Sequence, residues 1–232
     1  MANRFVVVVP ARNEAAAIGP CIDSVLRSAS AAGISQQHLV LTVVADACRD
    51  QTAAVARRHL RSAGVVVETS VRSVGRARAI GTACSLARCE PAPPERIWTA
   101  HTDADTVVPE SWLHHHRRIA DAGIAAVAGV VEVDSFDDHE PLTAQRHRAS
   151  YSGKGDDHTH VHGANLGVRA DAYRAVGGWS AVLTGEDHAL WNAVRRAGYP
   201  TISTRALKVI TSGRRIGRAP DGFAAHLRSL AS

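Results

Sequence analysis

The apolar and polar positions alternate between two kinds of segment over the first 133 residues of the chain. Short apolar runs rich in β-branched residues are typical of strands buried on both faces. Such runs occur at Phe5–Val9, Leu39–Val44, Val65–Thr69, Arg96–Thr102 and Ala125–Val133. Strands that alternate with helices form right-handed βαβ units. We therefore expect an α/β fold with a mostly parallel, Rossmann-like sheet flanked by helices.

The segments between these runs carry helix signals. Pro20 stands at the start of the first, and apolar residues follow three and four positions apart from Ile22 to Ala29, which gives an amphipathic stripe. Further helices are expected from residue 50 or 52 to about 63, from 75 to about 88 and from 109 to about 122. Pro10 is expected to end the first strand, because proline cannot donate to a sheet ladder.

The regular alternation stops at Asp134. The segment from Asp134 to His162 is polar and rich in histidine, and a loop of that length in a compact domain is usually functional or mobile. Beyond it we expect short elements, then a helix, then one or two strands and a short terminal helix. These fall at Gly163–Arg174, Gly185–Gly198, Pro200–Thr211 and Asp221 to Leu230.

Composition adds few constraints. Hydrophobic residues make up 45% and charged residues 21% of the chain, as is usual for a globular protein. The net charge of +5 suits an anionic ligand, but nearly all the basic residues are arginine, and codon bias explains that equally well. No C-x-x-C pair, long apolar stretch or leader pattern occurs. We therefore expect no structural zinc on cysteines and a location in the cytoplasm.

The candidate chemistry follows the predicted strands, where parallel sheets bind ligands. Asp103 and Asp105 come directly after the fourth strand, and in extended backbone two such residues project to the same side. Carboxylate oxygens suit Mg²⁺ or Mn²⁺, and such an ion bridges a diphosphate. The alternative is a solvated turn ahead of a helix.

Two more polar segments lie at the same predicted edge. Pro10 to Glu14 follows the first strand, with Arg12 and Glu14 able to meet a nucleotide. Asp46 follows the second strand and is a candidate to accept hydrogen bonds from a base or ribose. Asp50 stands just ahead of a helix, where an N-cap is the favoured interpretation.

These segments and several later ones resemble, in order, the motifs of family 2 glycosyltransferases with the GT-A fold. The matching stretches are VPARNE at Val9–Glu14, VADACRDQT at Val44–Thr52, GRARAIG at Gly75–Gly81, DAD at Asp103–Asp105, GANLGVR at Gly163–Arg169, GGW at Gly177–Trp179 and EDHALWNAVRRAGY at Glu186–Tyr199. Each match is weak alone, and the ordered set covers most of the chain.

The resemblance implies a glycosyltransferase that uses a nucleotide-diphosphate sugar and Mn²⁺ or Mg²⁺. It implies that the donor contacts Pro10, Ala11, Arg12, Glu14, Asp46, Arg78, Asp103 and Asp105, with the metal on Asp103 and Asp105 and Asp105 the more direct ligand. Asp187 becomes the general base, supported by Glu186, and His162, Gly163, Asn165 and Trp179 border the acceptor. We expect one domain over residues 1–232, with a nucleotide-binding half over about 1–133 and an acceptor-binding half over about 134–232.

The chain departs from the family pattern in three places. Ala45 stands where the strand-two motif has its first acid, and Ala79 stands where an asparagine usually follows Arg78. Val209–Arg218 holds no histidine to complete a metal site, so the third metal ligand is unidentified. The reaction is expected to invert the sugar, with retention as the alternative.

Other interpretations compete at several residues. Glu186 and Asp187 open a helix, where acids are also favoured by the helix dipole. His158, His160 and His162 alternate, which suits either Zn²⁺ or an acceptor loop. His114, His115 and His116 are expected on a helix surface. The basic stretch from Arg205 to Arg218 is either a solvated face or a clamp on a pyrophosphate or acidic acceptor.

Different function classes also compete. A nucleotidyltransferase should show a glycine-rich loop with a lysine after the first strand, and Pro10 to Asn13 does not. A non-catalytic nucleotide-sugar-binding relative is a further alternative. Nucleic acid is not an expected partner, since no aromatic residues interleave with the arginines. Membrane association is expected to be peripheral at most, and the oligomeric state is open.

Overall fold

The computed structural model describes residues 4–151, 158–182, 184–217 and 223–230. Its strands are β1 (Arg4–Ala11), β2 (Leu39–Asp46), β3 (Gly64–Thr69), β4 (Ile97–His101), β5 (Thr106–Val107), β6 (Ala126–Val133), β7 (Leu166–Arg169) and β8 (Thr201–Thr211). Its helices are α1 (Ile18–Ala31), α2 (Thr52–Leu60), α3 (Val74–Arg88), α4 (Trp112–Asp121), α5 (Pro141–Ser150), α6 (Ala170–Ala175), α7 (Glu186–Arg196) and α8 (Phe223–Ser229).

The strands form one sheet in the order β3-β2-β1-β4-β7-β6-β8-β5. The first four strands in this order are parallel to one another, and β6 is parallel to β8. The expectation of a mostly parallel sheet is confirmed, with the correction that β7 and β5 run antiparallel to the strands beside them. The chain passes from β4 through α4 to β6, but these two strands are not neighbours in the sheet. β7, which comes later in the chain, lies between them and pairs with both.

The predicted strands and helices are confirmed to within a few residues, except near Pro10. The first strand does not end at Pro10, because β1 continues to Ala11 and stays in register with β2 there. The pairing of β1 with β4 already stops at Val8 and His101. Proline therefore stands where β1 has a partner on one side only, a position that tolerates the missing donor.

The polar segment after β6 holds a helix that its pattern does not reveal. Pro141 is the first residue of α5, a position that proline favours. The buried face of α5 consists of Thr143 and His147, four residues apart. Because those side chains are polar, no apolar period marks the helix. The centre of the His-rich segment, residues 152–157, lies outside the described residues.

The core has two apolar layers, one on each face of the sheet. Phe5, Val7 and Val9 of β1 join the layer under α1, α2 and α4, whereas Val6 and Val8 join the layer under α3, α6 and α7. A strand with both faces buried explains the unbroken apolar run. Within the described ranges, no helix is long and apolar enough to cross a membrane.

Gly81 lets α3 lie directly on the sheet. A Cβ atom at that position would come within 2.6 Å of Val8 and 2.7 Å of Val44. Real Cβ atoms do not approach that closely, so any side chain at residue 81 would push α3 away from β1 and β2. This close packing sets the distance between the first turns of α3 and the ends of β1 and β2.

His116 corrects the expectation of a surface histidine. It is fully buried on α4, where Trp98 Nε1–H donates to its Nδ1 at 3.0 Å. The Trp112 ring meets it edge-on at 4.6 Å. Burial, with a smaller effect of His115, lowers the pKa of His116 from 6.5 to about 3. The folded chain therefore holds His116 neutral.

This buried imidazole makes stability depend on pH. The contribution of His116 to the free energy of unfolding is complete above pH 6.5, where this histidine is neutral in the unfolded chain as well. That contribution is lost as the pH falls towards the folded pKa of about 3. The free energy of unfolding should fall from pH 7.5 to pH 5.5 by about 1.4 kcal/mol more in the wild type than in His116→Asn. Urea unfolding of both proteins at both pH values measures the difference, and equal falls would contradict it.

Candidate active site

A cavity of about 420 Å³ opens at the carboxyl edge of the parallel strands, a volume typical of small-molecule sites. Segments after β1, β2 and β4, the start of α3, and the stretch after β8 form its walls. Its described lining residues include Pro10, Ala11, Arg12, Glu14, Asp46, Arg72, Ser73, Asp103, Asp105, Ser212, Arg214 and Phe223.

Arg78 is the buried cation behind this cavity. Its side chain is only 3% exposed and bonds Asp103 with one terminal nitrogen and Glu186 with the other, each at 2.5 Å. The Trp179 ring lies beneath its guanidinium, with 5.1 Å between the ring centroid and Cζ. Burial alone would lower the pKa of Arg78, but Asp103 and Glu186 outweigh it and raise that pKa. The cation is therefore fixed in charge and position.

Two glycines make room for this arrangement. A side chain at Gly163 would overlap the Arg78 guanidinium, and a Cβ atom at Gly75 would lie 2.7 Å from the Ser180 carbonyl oxygen. Both residues belong to sequence motifs, and the structure shows why each is glycine. The absence of a side chain lets the Gly163 backbone approach Arg78 and lets the Ser180 backbone approach the start of α3.

Asp187 is the second residue of α7, and Gly185, whose φ lies in the left-handed region, precedes that helix. Its Oδ2 accepts from the Gly163 backbone N–H at 2.9 Å, and its Oδ1 accepts from the His188 N–H at 2.8 Å. The carboxylate is thereby oriented by a residue 24 positions away. This contact joins α7 to the segment that precedes β7.

Glu186 is buried and faces Arg78. Burial raises its pKa, Arg78 acts in the opposite direction, and Asp187 raises it further. Glu186 thus offsets the charge of Arg78.

The Asp pair does not adopt the predicted extended geometry. Asp103 and Asp105 lie in a turn closed by the Thr106 N–H, which donates to the Asp103 carbonyl oxygen at 3.1 Å. The two carboxylates consequently point to different cations. Asp103 pairs with Arg78, and Asp105 pairs with Arg214 at 2.8 Å.

Glu14 also pairs with Arg214. Its two carboxylate oxygens accept from both terminal nitrogens of that guanidinium, at 2.7 and 2.9 Å. The sequence marks the basic stretch from Arg205 to Arg218 as a whole and does not single out Arg214. Arg218, at the end of that stretch, lies outside the described residues.

The surroundings of Asp105 decide whether this site could bind a divalent ion. Burial, opposed by Arg214, raises the pKa of Asp105 to about 6. The part of the chain that the structure describes contains no group of three or more His, Cys, Asp or Glu side chains placed to hold a metal. Because Arg214 occupies the place beside Asp105, these side chains as arranged do not fit Mn²⁺ or Mg²⁺.

Asp46 shapes the wall of the cavity. Its carboxylate oxygens accept from the Arg72 and Ser73 backbone N–H groups, at 2.9 and 3.0 Å. These bonds hold the loop between β3 and α3 against the end of β2. Asp50 is predicted as the N-cap, but that position belongs to Gln51. Asp50 lies one residue earlier and accepts from the N–H groups of Thr52 and Ala15 at 3.0 and 3.1 Å.

The predicted acceptor residues separate into two groups. In the first group, Trp179 lies against Arg78, and the Gly163 N–H donates to Asp187. His162 Nε2 lies 2.6 Å from the Tyr151 hydroxyl. Asn165 instead is fully buried, and its amide bonds Trp112, Val130 and Leu207. This burial corrects its predicted place at the border of the acceptor site and makes it a core residue.

The alternating histidines gather around one tyrosine. The rings of His158, His160 and His162 follow one another with centroids 6.3 and 5.8 Å apart. His160 also lies 4.2 Å from the Tyr151 ring. Among the described side chains they form no metal cluster, so the zinc hypothesis has no support.

The fold is similar to that of solved glycosyltransferase structures. The mannosyltransferase PcManGT from Pyrobaculum calidifontis, in complex with GDP-Man and Mn²⁺, matches with a TM-score of 0.69 at 20% identity, over 94% of this chain and 59% of that one. S. aureus TarS 1–349, in complex with UDP-GlcNAc, matches with a TM-score of 0.70 at 13% identity, over 95% and 61%. This chain thus spans about three fifths of the length of both, and at such identity the likeness shows the fold alone.

The family is established by a different comparison. No curated protein matches the chain. The family model described as glycosyltransferase-like family 2 matches residues 2–215, a range that includes all the strands and every predicted site residue. The resemblance seen in the motifs is therefore confirmed, and the chain belongs to glycosyltransferase-like family 2.

Proposed function

We propose that this chain transfers a glycosyl group from a nucleotide-diphosphate sugar to an acceptor hydroxyl. The observation that carries the proposal is the bridge from Asp103 through Arg78 to Glu186. It joins an acid on the cavity wall to the helix that begins with Glu186 and Asp187. A transferase needs such a connection, because donor and base must be held in one geometry for the reacting atoms to meet.

The cavity is the proposed donor site. It lies where β1, β2 and β4 end, the edge at which open α/β sheets bind nucleotides. Two of the structural neighbours are complexes with GDP-Man and UDP-GlcNAc, which supports a nucleotide-sugar for this chain. Pro10, Ala11, Arg12, Glu14 and Asp46 are proposed to line the nucleotide.

Asp187 is the proposed general base. Its carboxylate is oriented by the Gly163 and His188 N–H groups and is proposed to take the proton of the acceptor hydroxyl. In a single displacement the hydroxyl attacks on the face opposite the leaving diphosphate, and the sugar is inverted. His162, Gly163 and Trp179 are proposed to border that acceptor.

Several expectations stay predictions for this chain. They are the division into a nucleotide half and an acceptor half, the cytoplasmic location and the peripheral membrane contact. The expectation of Mn²⁺ or Mg²⁺ at Asp103 and Asp105 is not among them, because Asp103 is paired with Arg78 and Asp105 with Arg214. A nucleotidyltransferase has no support in the site, since no glycine-rich loop follows β1.

Nucleotide binding tests the donor site. We expect UDP or GDP to bind the folded protein, and Arg12→Met to weaken that binding about tenfold because a charge-assisted contact is lost. Arg27→Met, on the exposed side of α1, is the matched control and should bind as the wild type does. Isothermal titration measures each affinity. The proposal would be overturned if no nucleotide bound at millimolar concentration.

Asp187 is tested by turnover. Once the donor is known, transfer of its sugar to water can be followed by release of the nucleoside diphosphate. Asp187→Asn should lower this rate about 10²- to 10⁴-fold, as loss of a positioned base does, and leave donor affinity unchanged. Asp121→Asn, exposed at the end of α4, is the control. Turnover at the wild-type rate in Asp187→Asn would remove Asp187 from the mechanism.

Arg78 is tested by stability. Arg78→Met leaves the carboxylates of Asp103 and Glu186 without their cation, and breaking a buried pair costs about 3–5 kcal/mol. Arg57→Met removes an arginine whose pair with Glu68 is more than half exposed, and should cost less than about 1 kcal/mol. Urea unfolding of both variants gives the comparison, and similar losses would show that the Arg78 bridge does not hold the fold.

A further inference from the structure

Arg214 is a charged residue of the cavity wall that lies outside all the sequence motifs. It reaches across the cavity wall to a residue 200 positions earlier in the chain, where both oxygens of Glu14 accept from it. Its guanidinium also lies 2.8 Å from Asp105. The side chains of Glu14 and Asp105 are 7% and 15% exposed, and Arg214 is 29% exposed. One face of the cation is thus held by two nearly buried acids, while the rest faces the cavity.

The backbone that carries Arg214 is fixed as firmly as its side chain. β5 and β8 pair through Thr106 and Thr211, and their hydroxyl groups bond at 2.9 Å. The Ser212 N–H donates to the Asp105 carbonyl oxygen at 3.1 Å, and the Gly213 N–H donates to Asp134 Oδ1 at 2.8 Å. The turn that holds Asp105 and the segment that holds Arg214 therefore form one unit.

Gly213 shows how closely that segment is packed. A Cβ atom at residue 213 would overlap the Ser135 carbonyl oxygen. Only glycine lets the chain pass this point, and the next residue is then directed at Glu14 and Asp105. The position of the guanidinium is consequently set by backbone contacts on both sides.

On these observations, and resting on the proposed donor site, we propose that Arg214 supplies the positive charge at the donor diphosphate in place of a divalent ion. A guanidinium carries five N–H donors. Glu14 and Asp105 engage three of them, and the remaining N–H groups can donate to phosphate oxygens. The charge of the guanidinium is permanent, and Glu14 and Asp105 act as positioning residues. When the diphosphate leaves, the fixed cation stabilises its developing charge without any reorganisation. Asp105 then has no need to bind a metal.

The test is titration of the nucleoside diphosphate that the wild type binds, carried out in EDTA and again with added Mn²⁺. Wild-type affinity should agree within about threefold between the two conditions. Arg214→Met should weaken binding about 10- to 100-fold, the loss of a charge-assisted bond. Arg215→Met is the matched control, because Arg215 is exposed and does not line the cavity.

The free nucleoside separates the two proposals. It lacks the diphosphate, so Arg214→Met should bind it as the wild type does, which also shows that the variant is folded. In Arg214→Met, added Mn²⁺ should restore part of the lost affinity, since Glu14 and Asp105 are then released to hold an ion with the diphosphate. Arg214→Lys keeps a charge without the fork and should lie between Met and the wild type.

Three other outcomes are possible, and each would refute either the role of Arg214 or the donor site. Wild-type binding that is lost in EDTA and restored by Mn²⁺ refutes the role of Arg214 and leaves the donor site standing. Equal affinity of wild type and Arg214→Met for the nucleoside diphosphate also refutes it. Failure of the wild type to bind any nucleotide or nucleoside overturns the donor site itself, and the role of Arg214 with it.

Discussion

The bridge that Arg78 makes between Asp103 and Glu186 is the interaction on which the rest of the site depends. A guanidinium that is 3% exposed needs anionic partners, because its unpaired charge would cost several kcal/mol inside the protein. Its two partners come from the turn after β4 and from the start of α7, 83 residues apart. Neither the turn nor the helix can move without exposing or unpairing a buried charge. The bridge therefore determines where Asp187 stands relative to the cavity.

The sheet provides what the bridge needs. Val8 and Val44 accept the close approach of α3 at Gly81, which places Arg78 one turn earlier directly behind the strand ends. The antiparallel β7 lies beside β4 and brings Gly163, just ahead of it, under Arg78 and onto Asp187. A purely parallel sheet would not deliver this segment to the site. An antiparallel strand that the expected pattern lacks thus joins the two parts of the site.

The sequence predicts those features that rest on local chemistry. β-branched runs such as Phe5–Val9 mark strands, and Asp50 marks the approach to a helix to within one residue, because each acts through neighbours in the chain. The sequence does not reveal α5, whose buried face is polar, or His116 and Asn165, which are buried through contacts with residues far along the chain. The motifs identify Asp103 and Asp105 but not their partners. Which arginine meets which acid depends on how β7 and β8 return to the sheet edge.

Arg78 and Arg214 differ in burial, and this difference suits Arg78 to holding the fold and Arg214 to binding a ligand. Both pair with two acids. Arg78 is enclosed, with Trp179 beneath its face, so an anionic ligand cannot reach it without displacing the protein around it. Arg214 is 29% exposed and lines the cavity. Each arginine offsets part of the negative charge of its two acids, which would otherwise repel a diphosphate. Of the two cations, Arg214 is the one that lines the cavity and is therefore placed to meet an anionic ligand.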